Sequence, residues 1–290
     1  MSVPRLLKII FVLFLFGNAA LFFLLFYPLP KVLVELRPQE TLKIYDRNGL
    51  LLSESLSTAK GRQTFVPLSE IPQSLQGAFL SAEDQRYYEH SGLDFGSILR
   101  AVWQNVTAGE VVSGGSTITQ QLVRNLIGTD RPRSFGQKLK ESALALRLSR
   151  IHSKDDVFEL YMNSIYFGGL AYGVEAASWQ YFGKSAHNLD LAESAFLAGL
   201  PQAPNRFYPF KHFEAAKQRQ EAVLAAMLEN KAITEAEFNQ AKDEEITLRP
   251  AKTEKKAPHF VDFVIQHSHE DPAISHSKIE TTLDLGLQEK

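Results

Sequence analysis

Cysteine is absent from the 290 residues, which excludes disulfides, thiolate nucleophiles and cysteine-ligated metal centres and is compatible with an oxidising compartment. A dominant charge of either sign is also missing. With 31 basic against 33 acidic residues the net charge is −2, so nothing global points to nucleic acid or to an acidic substrate, and electrostatic arguments must be local. No internal repeat or low-complexity tract interrupts the chain, and 44% apolar with 22% charged content excludes a disordered polymer.

What is present begins with a run of 22 residues without a charge, Ile9 to Pro30. As a helix it extends about 33 Å, enough to cross a bilayer. The run is longer than the apolar core of a cleaved signal peptide, and no small-residue cleavage pattern follows it. It predicts a transmembrane anchor over 9–30 with residues 1–8 as a cytoplasmic tail. Arg5 and Lys8 favour that orientation and put the rest of the chain outside, while Lys31 and Arg37 oppose it.

Beyond the anchor, "KIYDRNGLLL" (Lys43 to Leu52) predicts a hairpin around an Asp-Arg-Asn-Gly turn. From Leu75 the apolar spacing is helical almost throughout. Gly92 is placed to end the first helix and Asp94 to cap the next, and Ser153/Asp156, Asp190/Glu193 and Thr234/Glu237 have the spacing of capping boxes. Two glycine-rich stretches, Thr107 to Ser116 and Ile127 to Gly136, read as mobile loops. After Ile246 the chain turns polar and basic, then "HFVDFVIQ" and "IETTLDLGLQ" read as strands, leaving 246–290 as a linker with the start of a further region.

Three stretches carry chemistry. In "FLSAEDQRYYEHSGLD" (Phe79 to Asp94), Leu75, Phe79, Ala82, Glu83 and Tyr87 share one helical stripe, so Glu83 points where apolar side chains point and Asp84 is turned aside. Burial raises a carboxyl pKa toward the range of a general acid or base, and Arg86 one turn on would lower it again. Taken alone, the pair also fits a surface ion pair between Glu83 and Arg86. The second stretch, Arg124 to Lys154, holds Arg124, Arg131, Arg133, Lys138, Lys140, Arg147, Arg150 and Lys154 against two acids, Asp130 and Glu141. Such a surplus suits phosphate or diphosphate, and it also fits a solvated face beside anionic lipid. Glu141 repeats the oddity of Glu83, with Lys138 one turn before it and Ala145 and Leu148 on its face. The third, "GGSTITQQLVRN" (Gly114 to Asn125), sets a glycine pair before hydroxyls and amides at a helix start, suited to close backbone approach and to sugar or phosphate contacts, or simply to a capped helix.

Together these stretches resemble, in order and spacing, the signature motifs of the peptidoglycan glycosyltransferases of class A penicillin-binding proteins and their monofunctional relatives. The matching segments are "EDQRYYEHSGLD", "GGSTITQQ", "KLKE", "KDDVFELYMNSIYFGGLAYGVEAASWQYFGK" and "LAESAFLAGLPQAPNRFYP", over roughly Leu42 to Asn230. Tyr87 stands where the family prefers Phe, Gln137 where it prefers Arg, and Ser149 where an acid is common. The resemblance implies a mainly α, lysozyme-like glycosyltransferase domain over 42–245, with an N-terminal transmembrane helix and a small β element before and after it. It further implies that the enzyme polymerises lipid II on the outer side of the bacterial cytoplasmic membrane. Glu83 then corresponds to the catalytic base, and Glu141 to the second glutamate on the donor's diphosphate side, acting there through a divalent cation (Mg or Mn) with no organic cofactor. Asp84, Arg100, Ser116, Thr117, Gln120, Gln121, Arg124, Arg133, Lys138 and Lys140 correspond to substrate-binding positions. The implied partners are lipid II, the growing glycan chain, membrane lipids and proteins of cell-wall synthesis or division, with no nucleic acid.

Three rival functions compete with this one. A lysozyme-type lytic enzyme also uses a Glu in an α-rich domain, yet it needs no basic run. A silent membrane scaffold needs neither glutamate. A transpeptidase is signalled by S-x-x-K at Ser57 and Ser275 without the S-D-N or K-T-G partners, while "TTLDLGLQ" resembles the linker that precedes the transpeptidase domain in class A proteins, which makes 246–290 a linker with the start of a truncated transpeptidase region. His267, His269 and Glu270 have metal-ligand chemistry, but a solvated polar turn explains them as well.

Overall fold

The computed structural model describes residues 8, 11–12, 15, 29–36, 40–54, 61–109, 114–128, 134–249, 255–268 and 278–288. Most of the anchor, Arg131, Arg133, Asp130, Val111, Val112, Ser57, Ser275, His269 and Glu270 lie outside them. Among the described residues, no helix is long and apolar enough to cross a membrane. The chain divides into two units, Met1–Arg37 with Arg86–Phe158 and Pro38–Gln85 with Glu159–Lys290.

In the first unit a short helix α1 (Lys31–Glu35) buries Leu33, and the His152 ring lies 3.0 Å from the Leu33 carbonyl oxygen. Helices α3 (Phe95–Ala108), α4 (Ile118–Ile127) and α5 (Phe135–Ile151) follow, with α2 (Gln73–Glu83) belonging to the second unit. Helices α4 and α5 pack on each other through Ile118, Leu122, Leu144 and Leu148, all buried. Tyr87, expected on the first helical stripe, sits instead in a separate 3-10 turn, Tyr87–Glu89. Its ring is fully buried against Phe158 at 5.6 Å. Its hydroxyl donates to the Lys154 carbonyl at 2.8 Å, a bond that a Phe at this position could not make.

The second unit starts with the hairpin expected from the sequence, β1 (Lys43–Tyr45) antiparallel to β2 (Leu51–Glu54). Asp46 shapes its turn, accepting from the amides of Asn48 and Leu50 at 2.8 Å each. A short strand β3 (Arg62–Gln63) lies parallel to β4 (Ala171–Tyr172). The helices are α2 (Gln73–Glu83), α6 (Lys154–Ser164), which the unit boundary divides, α7 (Val174–Phe182), α8 (Leu191–Gly199), α9 (Phe213–Glu229) and α10 (Glu235–Asp243). Helices α2, α8 and α9 pack mutually around Phe79, Ala195, Phe196, Val223 and Leu224. The expected capping boxes form at Asp190/Glu193 and Thr234/Glu237, and Ser153 exchanges the corresponding bonds with Asp156.

"HFVDFVIQ" is a helix, not a strand. α11 (Pro258–Ser268) repeats its apolar residues at 260, 261, 264 and 265, a spacing of four that strand-favouring Val, Ile and Phe disguised. "IETTLDLGLQ" divides into β5 (Lys278–Glu280) and a last helical turn, α12 (Leu285–Gln288). β5 joins β1 in parallel, Ile44 opposite Ile279, to give the order β2-β1-β5. Ile44, Leu52, Val261 and Leu285 form a separate small core beneath this sheet.

Candidate active site

Glu83 is the last residue of α2, and Asp84 closes that helix in an extended conformation with φ −161°. The helix therefore ends here and not at Gly92. Leu75 and Phe79 are fully buried and Glu83 on the same stripe is half-buried, whereas Asp84, expected to turn aside, is the more buried of the pair because the helix ends at it. Opposite comes Arg219 from α9. Burial pushes the Arg219 guanidinium down from its ordinary value, and the Glu83 carboxylate opposes that shift. Arg219 is not among the residues that the motifs single out, although its signal is the one that exposes Glu83. Arg219 lies three residues after Ala216 and four before Val223, both fully buried, so a charge occupies the apolar face of an amphipathic helix.

Arg86, expected to modulate Glu83, has left the helix and is held by Asp94. The guanidinium donates to both carboxylate oxygens of Asp94, from Nε at 3.2 Å and from Nη2. Asp94 caps α3 as expected, accepting from the Ser97 amide at 3.0 Å and hydroxyl at 2.6 Å. Burial pushes the Asp94 carboxyl up, but the Ser97 and Arg86 bonds outweigh it and hold it well below the usual carboxylate range. Arg100 joins this group at its rim, donating to the Ser97 hydroxyl at 3.1 Å from an exposed position.

The glycine-hydroxyl stretch is drawn into the first unit's frame. A methyl on Gly115 would stand 2.9 Å from the Ile98 Cα, so the close backbone approach foreseen for this residue is made to α3. The Thr117 hydroxyl donates to the Gly92 carbonyl at 2.7 Å, and Thr117 forms a capping box with Gln120. Gln120 Nε2 donates to the Ser142 hydroxyl at 2.8 Å, and that hydroxyl donates to the Lys138 carbonyl at 2.8 Å. Thr117 and Gln120, both buried, thereby pin the start of α4 to α5. Ser116, Gln121 and Arg124 remain half-exposed.

On α5, Glu141 is buried at 1% exposure with Ala145 and Leu148, the face predicted for it, while Lys138 and Lys140 are exposed. Gln137, which replaces a family arginine, has its own task here: it completes a capping box with Ser134, accepting from the Ser134 amide at 3.0 Å. Ser149, which replaces a family acid, has a buried hydroxyl with no hydrogen-bond partner among the described residues. No three His, Asp or Glu side chains among the described residues stand close enough to hold a metal ion.

α3 turns an apolar stripe outward. Phe95, Leu99, Trp103 and Val106, spaced at four, four and three residues, are 66%, 71%, 71% and 72% exposed. Leu126 and Ile127 at the end of α4 are half-exposed.

A family model described as Transglycosylase matches residues 49–228. Penicillin-binding protein 1A of Aquifex aeolicus (strain VF5) is 39% identical over 265 residues, covering 90% of this chain and 36% of the relative. Penicillin-binding protein 4 of Bacillus subtilis (strain 168) is 39% identical over 221 residues, covering 76% and 35%. The 2.6 Å crystal structure of penicillin-binding protein 1A from Haemophilus influenzae aligns with 26% identity and a TM-score of 0.47, over 87% of this chain and 28% of that one. The chain spans about a third of the length of these curated relatives. With the family model matching well over half of its residues, the chain belongs to the transglycosylase family, the peptidoglycan glycosyltransferases.

Proposed function

We propose that the protein polymerises lipid II into glycan strands at the outer face of the bacterial cytoplasmic membrane, inverting the donor's anomeric carbon and releasing polyprenyl pyrophosphate. The observation that carries this reading is the placement of Glu83, half-buried at the end of α2 with its carboxylate acting on Arg219. Glu83 takes the proton of the acceptor sugar's 4-hydroxyl as that oxygen attacks the anomeric carbon. Lys138, Lys140, Arg124 and Arg133 neutralise the charge that develops on the departing diphosphate, and Glu141 orients this basic group from the buried face of α5. Lipid II and the growing glycan are the substrates, and proteins of cell-wall synthesis or division are the expected company. A single anchor over 9–30 holds the enzyme at its substrate.

Incubating the full chain with labelled lipid II and sizing the product tests the reading. Polymer is expected, and shortening of added glycan would instead identify the lytic enzyme. In the same assay Lys138→Ala and Lys140→Ala should each lower turnover at least about tenfold, as expected when a charge-assisted hydrogen bond to a phosphoryl group is removed. Lys211→Ala, an exposed lysine outside the motifs, should leave it unchanged. Equal losses at all three positions would mean diffuse charge and no diphosphate site.

The substrate's polyprenyl tail stays in the bilayer, so the outward stripe of α3 fits the membrane interface, where Trp is at home. The chain has two Trp, and Trp179→Phe leaves Trp103 as the reporter. In reconstituted vesicles its fluorescence should be quenched by lipids brominated near the headgroup. An unquenched Trp103 would remove the stripe from the membrane.

A further inference from the structure

We propose that Arg219 is the positioning residue for Glu83, its guanidinium keeping that carboxylate ionised and aimed so that it can accept a proton at neutral pH. The inference rests on the general-base reading of Glu83 and adds a second residue to it. Helix α9 packs against α2 and brings Arg219 inward. Its Nε is buried with no hydrogen-bond partner among the described residues. Its stem is wedged against the end of α8, where a methyl on Gly199 would stand 2.8 Å from the Arg219 Cγ. A guanidinium so confined is strongly disfavoured unless an anion faces it, and the anion acting on it is Glu83. The interaction is mutual: whatever Glu83 does to hold Arg219 charged, Arg219 does to hold Glu83 charged.

The helices packed together here, α2, α8 and α9, carry these other ionisable groups. Glu83 is the only one on α2, with buried Asp84 following it. α8, also packed on α2, carries only Glu193, which pairs with Lys184 at 2.6 Å. On α9, Lys217 donates to the carbonyls of Lys242 and Glu244, Glu221 faces Lys242 at 3.9 Å, and Glu214 and Glu229 are exposed.

The test is the pH profile of lipid II polymerisation by the full chain. Arg219→Gln should move the acid limb up by about one unit or more, the shift that follows loss of an adjacent cation. The rate on that limb should then fall roughly tenfold and recover toward the wild-type plateau at alkaline pH. Arg219→Lys should keep the limb near its original position. Gly199→Ala keeps both charges but pushes the Arg219 stem aside, and should move the limb in the same direction by a smaller step. An unmoved acid limb in whichever of Arg219→Gln and Gly199→Ala folds overturns the proposal, because a residue needed only for packing or for substrate contact lowers the rate equally at every pH. Glu83→Gln separates the two readings. If that variant stays active the general-base reading fails, whereas an inactive Glu83→Gln together with an unmoved limb removes Arg219 alone.

Discussion

Glu83→Gln should abolish polymerisation while leaving the protein folded and able to bind lipid II. The amide keeps the shape of the carboxylate but cannot take the acceptor's proton, and losing a general base lowers turnover by about a hundred- to ten-thousand-fold, or roughly 3–5 kcal/mol of barrier. The same substitution removes an anion that helps keep half-buried Arg219 charged, so a modest loss of stability should accompany it. A melting curve therefore has to be measured beside the rate, and below the melting transition the two effects separate. A variant retaining more than about a tenth of the wild-type rate would remove Glu83 from the chemistry.

The largest effect on stability is expected at Asn163, which is fully buried on α6. Its Oδ1 accepts from the Val66 amide at 2.8 Å, and its Nδ2 donates to the carbonyls of Val66 at 2.8 Å and Glu159 at 2.9 Å. The Asn163 carbonyl in turn accepts from Gln63 Nε2 at 2.7 Å. One side chain thus ties the segment before α2 to α6. Asn163→Leu fills the same volume but strands the Val66 amide and carbonyl away from water, at about 1–3 kcal/mol for each unsatisfied group. The melting temperature should fall by roughly 6–12 °C for a total near 3 kcal/mol in a domain of this size. A fall of less than about 2 °C would show that water or a shifted backbone replaces these bonds.

Much of the site is legible in the sequence because its signals are local. A carboxylate at an apolar helical position, as at Glu83 and Glu141, is visible in spacing alone, and so are Asp94 as a cap and the Asp46 turn. What escapes depends on partners distant in sequence or on where an element stops. Carrying the helical stripe past Glu83 places Arg86 one turn along the same helix, whereas the chain turns at Asp84 and Arg86 reaches Asp94. Arg219 is invisible as a partner of Glu83 until α9 is packed on α2. Gln137 looks like a lost phosphate ligand, yet three residues after Ser134 it has capping-box spacing, so that role is available in the sequence as well. In α11 the composition favours a strand and the period a helix. Burial of Val261 beneath the sheet, with Phe260, Val264 and Ile265 packed around it, decides for the period.

The parallel pairing of β1 with β5 has a consequence for the order of assembly. Ile44 finds Ile279 only after more than two hundred intervening residues have been synthesised. Until then the β1–β2 hairpin is a two-stranded ribbon, marginal by itself in water, and its core residues Ile44 and Leu52 lack Val261 and Leu285. The helices that carry Glu83 and Arg219 close on each other over shorter loops and do not wait for that strand. The small sheet is therefore the last part of its unit that the growing chain can complete, and the helical part of the unit can be in place before it.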